Sequence, residues 1–98
     1  MANLVAGHPF KPAMGDGSRG VLQVSTDGTN DVTLYGSVDG VSYTKIKNYA
    51  VSTDVIEEVA LCPFMAVSSD TAAKVAAASL SSASLGASTV LLSETRGR

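Results

Sequence analysis

The side chains that most often carry catalysis are scarce in this chain and lie far apart in the sequence. His8 is the single histidine and Cys62 the single cysteine. A catalytic histidine needs a positioned partner, and His8 is followed by Pro9 with no serine- or cysteine-containing elbow nearby. A reactive thiolate needs a basic neighbour, whereas Cys62 lies in the apolar run 60–65. These residues predict a surface histidine, a buried cysteine and no enzymatic activity.

Three short motifs match binding sites in part, but each lacks the context that its chemistry requires. Residues 15–20 match G-x-G-x-x-G, yet dinucleotide binding needs a strand before this motif and a helix after it, and here a proline-containing segment precedes it. The oxygen-rich stretch 27–31 departs from calcium-loop spacing and lacks the closing glutamate. Glu57 and Glu58 are adjacent, so on a strand they point to opposite faces and form no glycosidase pair. We expect no cofactor and no metal, with calcium at 27–31 as a minor alternative to an Asx turn.

The clearest structural signal is a predicted β-hairpin. Apolar and polar residues alternate up to Asp39-Gly40, and a second such run, 43–47, follows at once. Asp-Gly between two alternating runs is typical of a tight hairpin turn, because glycine adopts positive φ without steric cost. The alternation predicts Val32, Leu34 and Val38 on one face and Thr33, Tyr35 and Ser37 on the other.

The rest of the chain reads as strands separated by turns every 8–12 residues, which is typical of a sandwich. Strands are predicted at 21–26, 31–38, 42–49, 64–68, 74–80 and 88–93, with the last two pairing. Two stretches, 54–61 and 71–78, have helical features as well: the first has helical apolar spacing and the second is rich in alanine. We favour strand for both, because propensity is weak and strands flank them.

Length and composition predict one small all-β domain. Ninety-eight residues, 45% of them hydrophobic and 5% aromatic, allow a single modest core. The single cysteine indicates folding in a reducing cytoplasm rather than secretion, and no apolar run is long enough to span a bilayer. The net charge of −2 argues against nucleic-acid binding. We predict a β-sandwich over 19–98, preceded by an extended arm, 1–18, whose prolines and glycines disfavour regular structure.

Charge and apolar residues at the two ends predict contacts with a partner. Residues 27–70 carry seven acidic and two basic side chains, while both ends are mildly basic. This segregation suits head-to-tail or arm-to-neighbour association, although random scatter could produce as much. The arm is either a flexible terminus or a segment that lies on a neighbouring subunit. Candidate partner-binding residues are Leu4, Val5, Phe10 and Met14 in the arm, with Arg96 and Arg98 at the C-terminus.

The chain resembles small β-sandwich proteins found among the structural proteins of tailed bacteriophages. The resemblance is carried by residues 22–24, by 32–40 with the Gly-Ser-x-Asp-Gly turn, by Tyr43, by 63–67 and by 89–92. It departs from one subfamily at 64–66, where Phe-Met-Ala replaces an arginine-containing stretch. The resemblance implies a jelly-roll-like sandwich in the virion. Its members include capsid decoration or cement proteins as well as tail- and fibre-associated modules.

Within that family, decoration of the capsid exterior is the function we expect. It implies manufacture in the host cytoplasm, the major capsid protein as partner, and a homo-oligomer, dimer or trimer, on the shell. The alternative is a tail- or fibre-associated module that binds host glycans. Sandwich domains that bind carbohydrate usually present exposed aromatic rings, and the candidates here are Tyr35, Tyr43 and Tyr49. Cross-strand aromatic pairing is the interpretation that we favour for them.

Overall fold

Two antiparallel four-stranded sheets form the protein, which confirms the all-β prediction. The computed structural model describes residues 2–12, 19–80 and 84–95. The strands are β1 (Ala2–Asn3), β2 (Arg19–Ser25), β3 (Val32–Ser37), β4 (Ser42–Tyr49), β5 (Asp54–Ala60), β6 (Phe64–Ser68), β7 (Lys74–Ala76) and β8 (Thr89–Thr95), with one helical turn, α1 (Ala77–Leu80). The first sheet has the order β1-β8-β2-β5 and the second β6-β3-β4-β7.

The main core lies between the two sheets and follows from strand alternation. In β2, Leu22 and Val24 are buried while Gln23 between them is exposed. Leu22 is paired with Leu92 and Val24 with Val90 on β8. Because side chains alternate across a strand, these cross-strand pairs place one apolar layer of the first sheet against the second.

Strand β3 departs from this alternation, since all six of its residues are buried. Val32 and Leu34 belong to the core between the sheets. Tyr35 points to the opposite face, where it packs with Tyr43 and Leu80 in a second apolar cluster. The outer face of the second sheet around Tyr35 is therefore covered by α1 and by the loop 69–73. The predicted faces of Val32, Leu34 and Tyr35 are confirmed, but the second layer above Tyr35 was not predicted.

The hairpin between β3 and β4 is confirmed, but its loop is longer than a two-residue turn. Residues 38–41 form the loop, Gly40 has a φ of 76°, and Val38 is 82% exposed rather than on a buried face. The pairing register shifts between Leu34 and Tyr35, so that Ile46 is an extra residue on β4. Such a bulge bends the strand and re-aims its side chains.

The two ambiguous stretches resolve differently. Asp54–Ala60 is a strand, as favoured, and pairs with β2 along its whole length. The stretch 71–78 forms only the short strand β7 before α1 begins at Ala77. The predicted pairing of 74–80 with 88–93 is wrong. Val75 on β7 pairs with Tyr43 and is buried in the outer cluster, whereas β8 belongs to the other sheet.

The N-terminal segment lies on the domain itself, which corrects the prediction of an arm outside the core for residues 2–12. Ala2 pairs with Leu92, and Leu4 is buried in the core between the sheets. Phe10 and Met65 exchange backbone hydrogen bonds of 2.6 and 2.7 Å. Burial of Leu4 and these two bonds hold the segment in place. Residues 13–18, the rest of the predicted arm, lie outside the described residues.

Candidate binding cleft

An apolar cleft opens at the hairpin end of the sandwich, and we call it the hairpin cleft. Its volume is about 640 Å³. It is lined by Gly36 on β3, by Ile46 on β4 and by residues 61–63, which join β5 to β6. Val38 and Asp39 of the loop line its mouth. The lining is largely apolar, as is usual for a binding cleft.

Gly36 and the bulge at Ile46 together shape the floor of the hairpin cleft. A Cβ atom on Gly36 would lie 2.7 Å from Cys62 Sγ and 2.9 Å from Ile46 Cδ1. Real Cβ atoms do not approach other atoms so closely, so only glycine allows Cys62 and Ile46 to close over β3. Glycine inside a strand often marks such a close approach. The side chain of Ile46 remains 46% exposed beside this floor.

The loop at the mouth of the cleft is held by one carboxylate. Asp39 Oδ1 accepts hydrogen bonds from the backbone N–H of Val41 (2.9 Å) and of Ser42 (3.2 Å), and from Ser37 Oγ (2.9 Å). These bonds favour the charged form, with the two backbone donors first, and they lower the pKa of Asp39 below its ordinary value of 3.8. A turn braced in this way presents its apolar residues in one defined arrangement.

The loop is also supported from below by an aromatic ring. A Cβ on Gly40 would lie 3.3 Å from the ring of Phe64, so the loop backbone rests on that ring. Lys11, on the N-terminal segment, places its Nζ 5.6 Å from the centroid of the Phe64 ring, within the range of a cation–π contact. The N-terminal segment thus braces the hairpin loop through Phe64.

Three exposed apolar side chains gather at this end of the molecule. Val38 is 82%, Val41 63% and Ile46 46% exposed. Each belongs to the hairpin, and Val38 and Ile46 both line the cleft. An apolar group beside an apolar cleft, rimmed by polar residues, is typical of a protein interaction site.

None of the described residues that the sequence suggested for partner binding lines the hairpin cleft. Leu4 is buried in the core, so in this conformation it offers no surface to a partner. Val5 is 49% exposed and lies with Leu4 beside a smaller cleft of about 230 Å³. Phe10 is half-buried on the edge of β6. Met14, Arg96 and Arg98 lie outside the described residues.

The structure describes His8, Cys62 and the oxygen-rich stretch 27–31, which were considered for other chemistry. His8 is exposed, and Cys62 is half-buried in the wall of the cleft. The carboxylate of Asp27 accepts hydrogen bonds from the backbone N–H groups of Thr29, Asn30 and Ala87, which lower its pKa. An Asx turn therefore explains the oxygen-rich stretch. Among residues 2–12, 19–80 and 84–95 there is no group of three or more potential metal ligands.

The tyrosines do not form an exposed aromatic surface. Tyr35, Tyr43 and Tyr49 are 0%, 1% and 3% exposed. The Tyr49 hydroxyl donates to the carboxylate of Glu57, which also pairs with Lys47 at 2.9 Å. Burial and the Glu57 contact raise the pKa of Tyr49. All three rings are part of the packing, so a sugar platform built from them is not supported.

Sequence reasoning missed the hairpin cleft, although two signals were present. Gly36 is the one residue of its strand that has no side chain, and a glycine inside a strand can mark a close approach of another part of the protein to the backbone. Val38 and Val41 flank Asp39-Gly40, where polar residues are usual in turns. Together, the glycine and the two valines indicate a hairpin end whose apolar residues serve binding rather than the core.

Comparison with protein-family models, with curated proteins and with solved structures found no match to this chain. Within the described ranges, no helix has the length and apolar character needed to cross a membrane.

Proposed function

We propose that this protein is a non-enzymatic virion protein of a tailed bacteriophage, a decoration or cement protein that binds the outside of the head and bridges major capsid protein subunits. The phage resemblance of residues 32–40 suggests the virion, and the hairpin cleft supports binding to another protein. The proposal includes a jelly-roll-like sandwich, for which the two antiparallel sheets provide the coarser support. It places the protein on the capsid exterior as a dimer or trimer.

The observation that carries the proposal is the apolar hairpin end. Val38, Val41 and Ile46 belong to neither core cluster of the described residues, and burying their exposed parts against a partner would stabilise a complex by the hydrophobic effect. A free surface of this kind at a braced loop favours docking without rearrangement. It therefore supports a protein partner over a small substrate.

The size of the chain favours several contacts on a repeating lattice. A standard interface buries about 800 Å² on each partner, roughly 15% of the 5198 Å² surface of this chain. Val38, Val41 and Ile46 are three residues, whereas one side of such an interface contains about 20–30. Contacts to two neighbouring shell subunits, or association between copies, would strengthen attachment through multivalency. This arithmetic fits a cement that bridges subunits.

The proposal is tested by binding of purified protein to phage heads that lack it. Val38→Lys places a charge at the mouth of the hairpin cleft, while Val51→Lys makes the same change at an exposed valine in the β4–β5 loop, outside the cleft. Both side chains are exposed, so both variants should fold. We expect Val38→Lys to weaken co-sedimentation with heads by about tenfold or more, as for a residue central to an interface.

The matched control distinguishes a failure of the hairpin cleft as the interface from a failure of head binding as the function. Val51→Lys should bind like the wild-type protein. Equal binding of Val38→Lys would remove the hairpin cleft from the interface, and failure of the wild-type protein to bind heads would overturn the proposal.

A further inference from the structure

Strand β5 is an open sheet edge, and it differs from the other three edges. It spans seven residues and pairs with β2 without a bulge. Strand β1 has two residues and β7 three, and the edge of β6 is covered at Met65 by Phe10. Of the edges in the described part of the chain, β5 is therefore the long, regular and uncovered one. Edges of this kind accept an additional strand unless they are protected.

Hydrogen-bond alternation shows which backbone groups of β5 face outward. Thr26 N–H donates to Thr53 C=O at 2.9 Å, just beyond the β2–β5 ladder. Hydrogen-bonded pairs alternate along an antiparallel ladder, so Val55, Glu57 and Val59 bond to β2. The N–H and C=O groups of the alternate residues point away from the sheet: those of Asp54, Ile56, Glu58 and Ala60.

No described residue bonds to the outward backbone groups of Ile56, Glu58 and Ala60. The hydrogen bonds between β5 and β2 use the inward groups, and no other hydrogen bond of the described residues reaches the outward ones. The Ile56 side chain, on the outer face of the strand, is 66% exposed. Unpaired donors and acceptors in a row, with an exposed β-branched side chain at the centre, match the requirement for strand addition.

The charges on β5 disfavour a second copy of the chain as the occupant. The strand carries Asp54, Glu57 and Glu58 and no basic residue. Antiparallel self-pairing centred on Ile56 places Asp54 opposite Glu58, and pairing centred on Glu57 or Glu58 places that residue opposite itself. Like charges directly opposite each other destabilise a sheet. Each of these three antiparallel registers is therefore penalised.

A basic strand has the complementary charge. On the outer face, Asp54 and Glu58 flank Ile56, so a paired strand would meet a carboxylate, an apolar side chain and a carboxylate at alternate positions. Arg19 pairs with Glu58 at 3.1 Å, but both side chains are 57% exposed, and exposed ion pairs are easily exchanged. Asp54 accepts only from Ser25 Oγ among the described side chains.

We propose that β5 binds an extended segment of a partner protein by strand addition, with basic residues opposite Asp54 and Glu58 and an apolar residue opposite Ile56. Backbone hydrogen bonds to the outward groups of β5 supply affinity, and the alternate side chains supply specificity. This surface is separate from the mouth of the hairpin cleft, and the inference does not depend on assignment to a virion.

The test uses the full chain and a synthetic peptide, Thr-Lys-Thr-Val-Thr-Lys-Thr, with blocked ends. When the peptide pairs antiparallel to β5, its lysines lie opposite Asp54 and Glu58 and its valine lies opposite Ile56. Amide hydrogen exchange and chemical-shift titration by NMR report binding at each residue. We expect the peptide to slow exchange of the Ile56 and Glu58 amides, and the counterpart with glutamate in place of lysine to bind about tenfold more weakly or worse, since two cross-strand charge pairs change sign.

Two controls separate strand addition from simple charge attraction. Methylation of the peptide nitrogens at the two lysines and the valine removes the donors that face β5 and should abolish binding. Ile56→Pro removes an outward N–H that β2 does not use, a position where an edge strand tolerates proline, and it should also abolish binding, while Ile56→Thr keeps the N–H and should retain most of it. The methylated peptide gives the same test if Ile56→Pro fails to fold.

The proposal is overturned if the lysine peptide fails to bind, if the glutamate or methylated peptide binds equally well, or if the protein alone forms a dimer that protects the same amides. A virion that lacks this protein would refute the proposed function and leave the result on β5 unchanged.

Discussion

Replacement of Tyr35 by phenylalanine tests whether one hydroxyl holds the outer layer onto the second sheet. Tyr35 is fully buried at the centre of β3. Its hydroxyl lies 3.0 Å from the carbonyl oxygen of Asp70 and 2.7 Å from that of Ala72, in the loop between β6 and β7. Burial, followed by the Asp70 charge, raises the pKa of Tyr35. The hydroxyl therefore stays protonated and can donate at all ordinary pH values.

The expected cost of Tyr35→Phe follows from the partners left behind. A net intramolecular hydrogen bond contributes about 1 kcal/mol, and a partly buried acceptor left without its donor adds to that, so we expect a loss of about 1–2 kcal/mol. For a domain of this size, a loss of 1 kcal/mol lowers Tm by about 4–8 °C. Urea unfolding measures the loss as a shift in midpoint at constant slope.

Tyr43→Phe is the matched control. Tyr43 lies in the same apolar cluster and is 1% exposed, but its hydroxyl donates no hydrogen bond among those of the described residues. We expect its removal to change stability by a few tenths of a kcal/mol, since no partner is left unsatisfied. Equal losses in the two variants would refute the reasoning, because they would show that the Tyr35 hydroxyl does not anchor the loop.

Two further predictions concern the hairpin cleft. Gly36→Ala should destabilise the protein by about 1–3 kcal/mol, as overpacking does. Adding Cys62→Ala should restore part of that loss, because the new Cβ would lie 2.7 Å from Cys62 Sγ. Urea unfolding of the two single variants and the double variant measures the coupling, and strictly additive losses would contradict the close approach. The pKa of Asp39 is lowered in the folded protein, so its contribution to stability is present above the unfolded pKa near 3.8 and is lost as pH falls through the folded pKa. The stability difference between wild type and Asp39→Asn should therefore shrink below about pH 4. A difference that is constant from pH 7 to pH 2 would contradict the role of the charged form.

Local pattern was sufficient to predict most of the strands. The alternation around Leu34 and the Asp39-Gly40 turn predict the hairpin because both act within a few residues of chain. The stretch 54–60 is a strand despite its helical spacing, because pairing with β2 outweighs weak intrinsic propensity. For the hairpin, neighbours in sequence carry the relevant information. The strand at 54–60 depends instead on pairing with β2, which is distant in the chain.

Long-range pairing was not accessible in the same way. Alternation at Val75 and at Val90 looks alike in sequence, yet Val75 is buried in the outer cluster and Val90 in the core between the sheets. The difference depends on Tyr35 and Tyr43, which are distant in sequence and create the second layer. Leu4 likewise joins the core through β8, although its neighbouring prolines and glycines indicate an arm.

The hairpin cleft depends on a feature that alternation does not encode. The register shift between Leu34 and Tyr35 makes Ile46 an extra residue in β4 and leaves it beside Gly36. A pattern that predicts strands assumes regular pairing, so it cannot locate a bulge. The open edge at β5 requires knowledge of sheet order, which also lies beyond local pattern.

The copy number of this protein in purified virions, measured by quantitative mass spectrometry relative to the major shell protein, tests the central proposal most directly. A cement that bridges shell subunits should be present at a ratio near one or at a simple fraction of one. A handful of copies per virion would contradict decoration of the capsid, and absence from virions would contradict the virion assignment altogether.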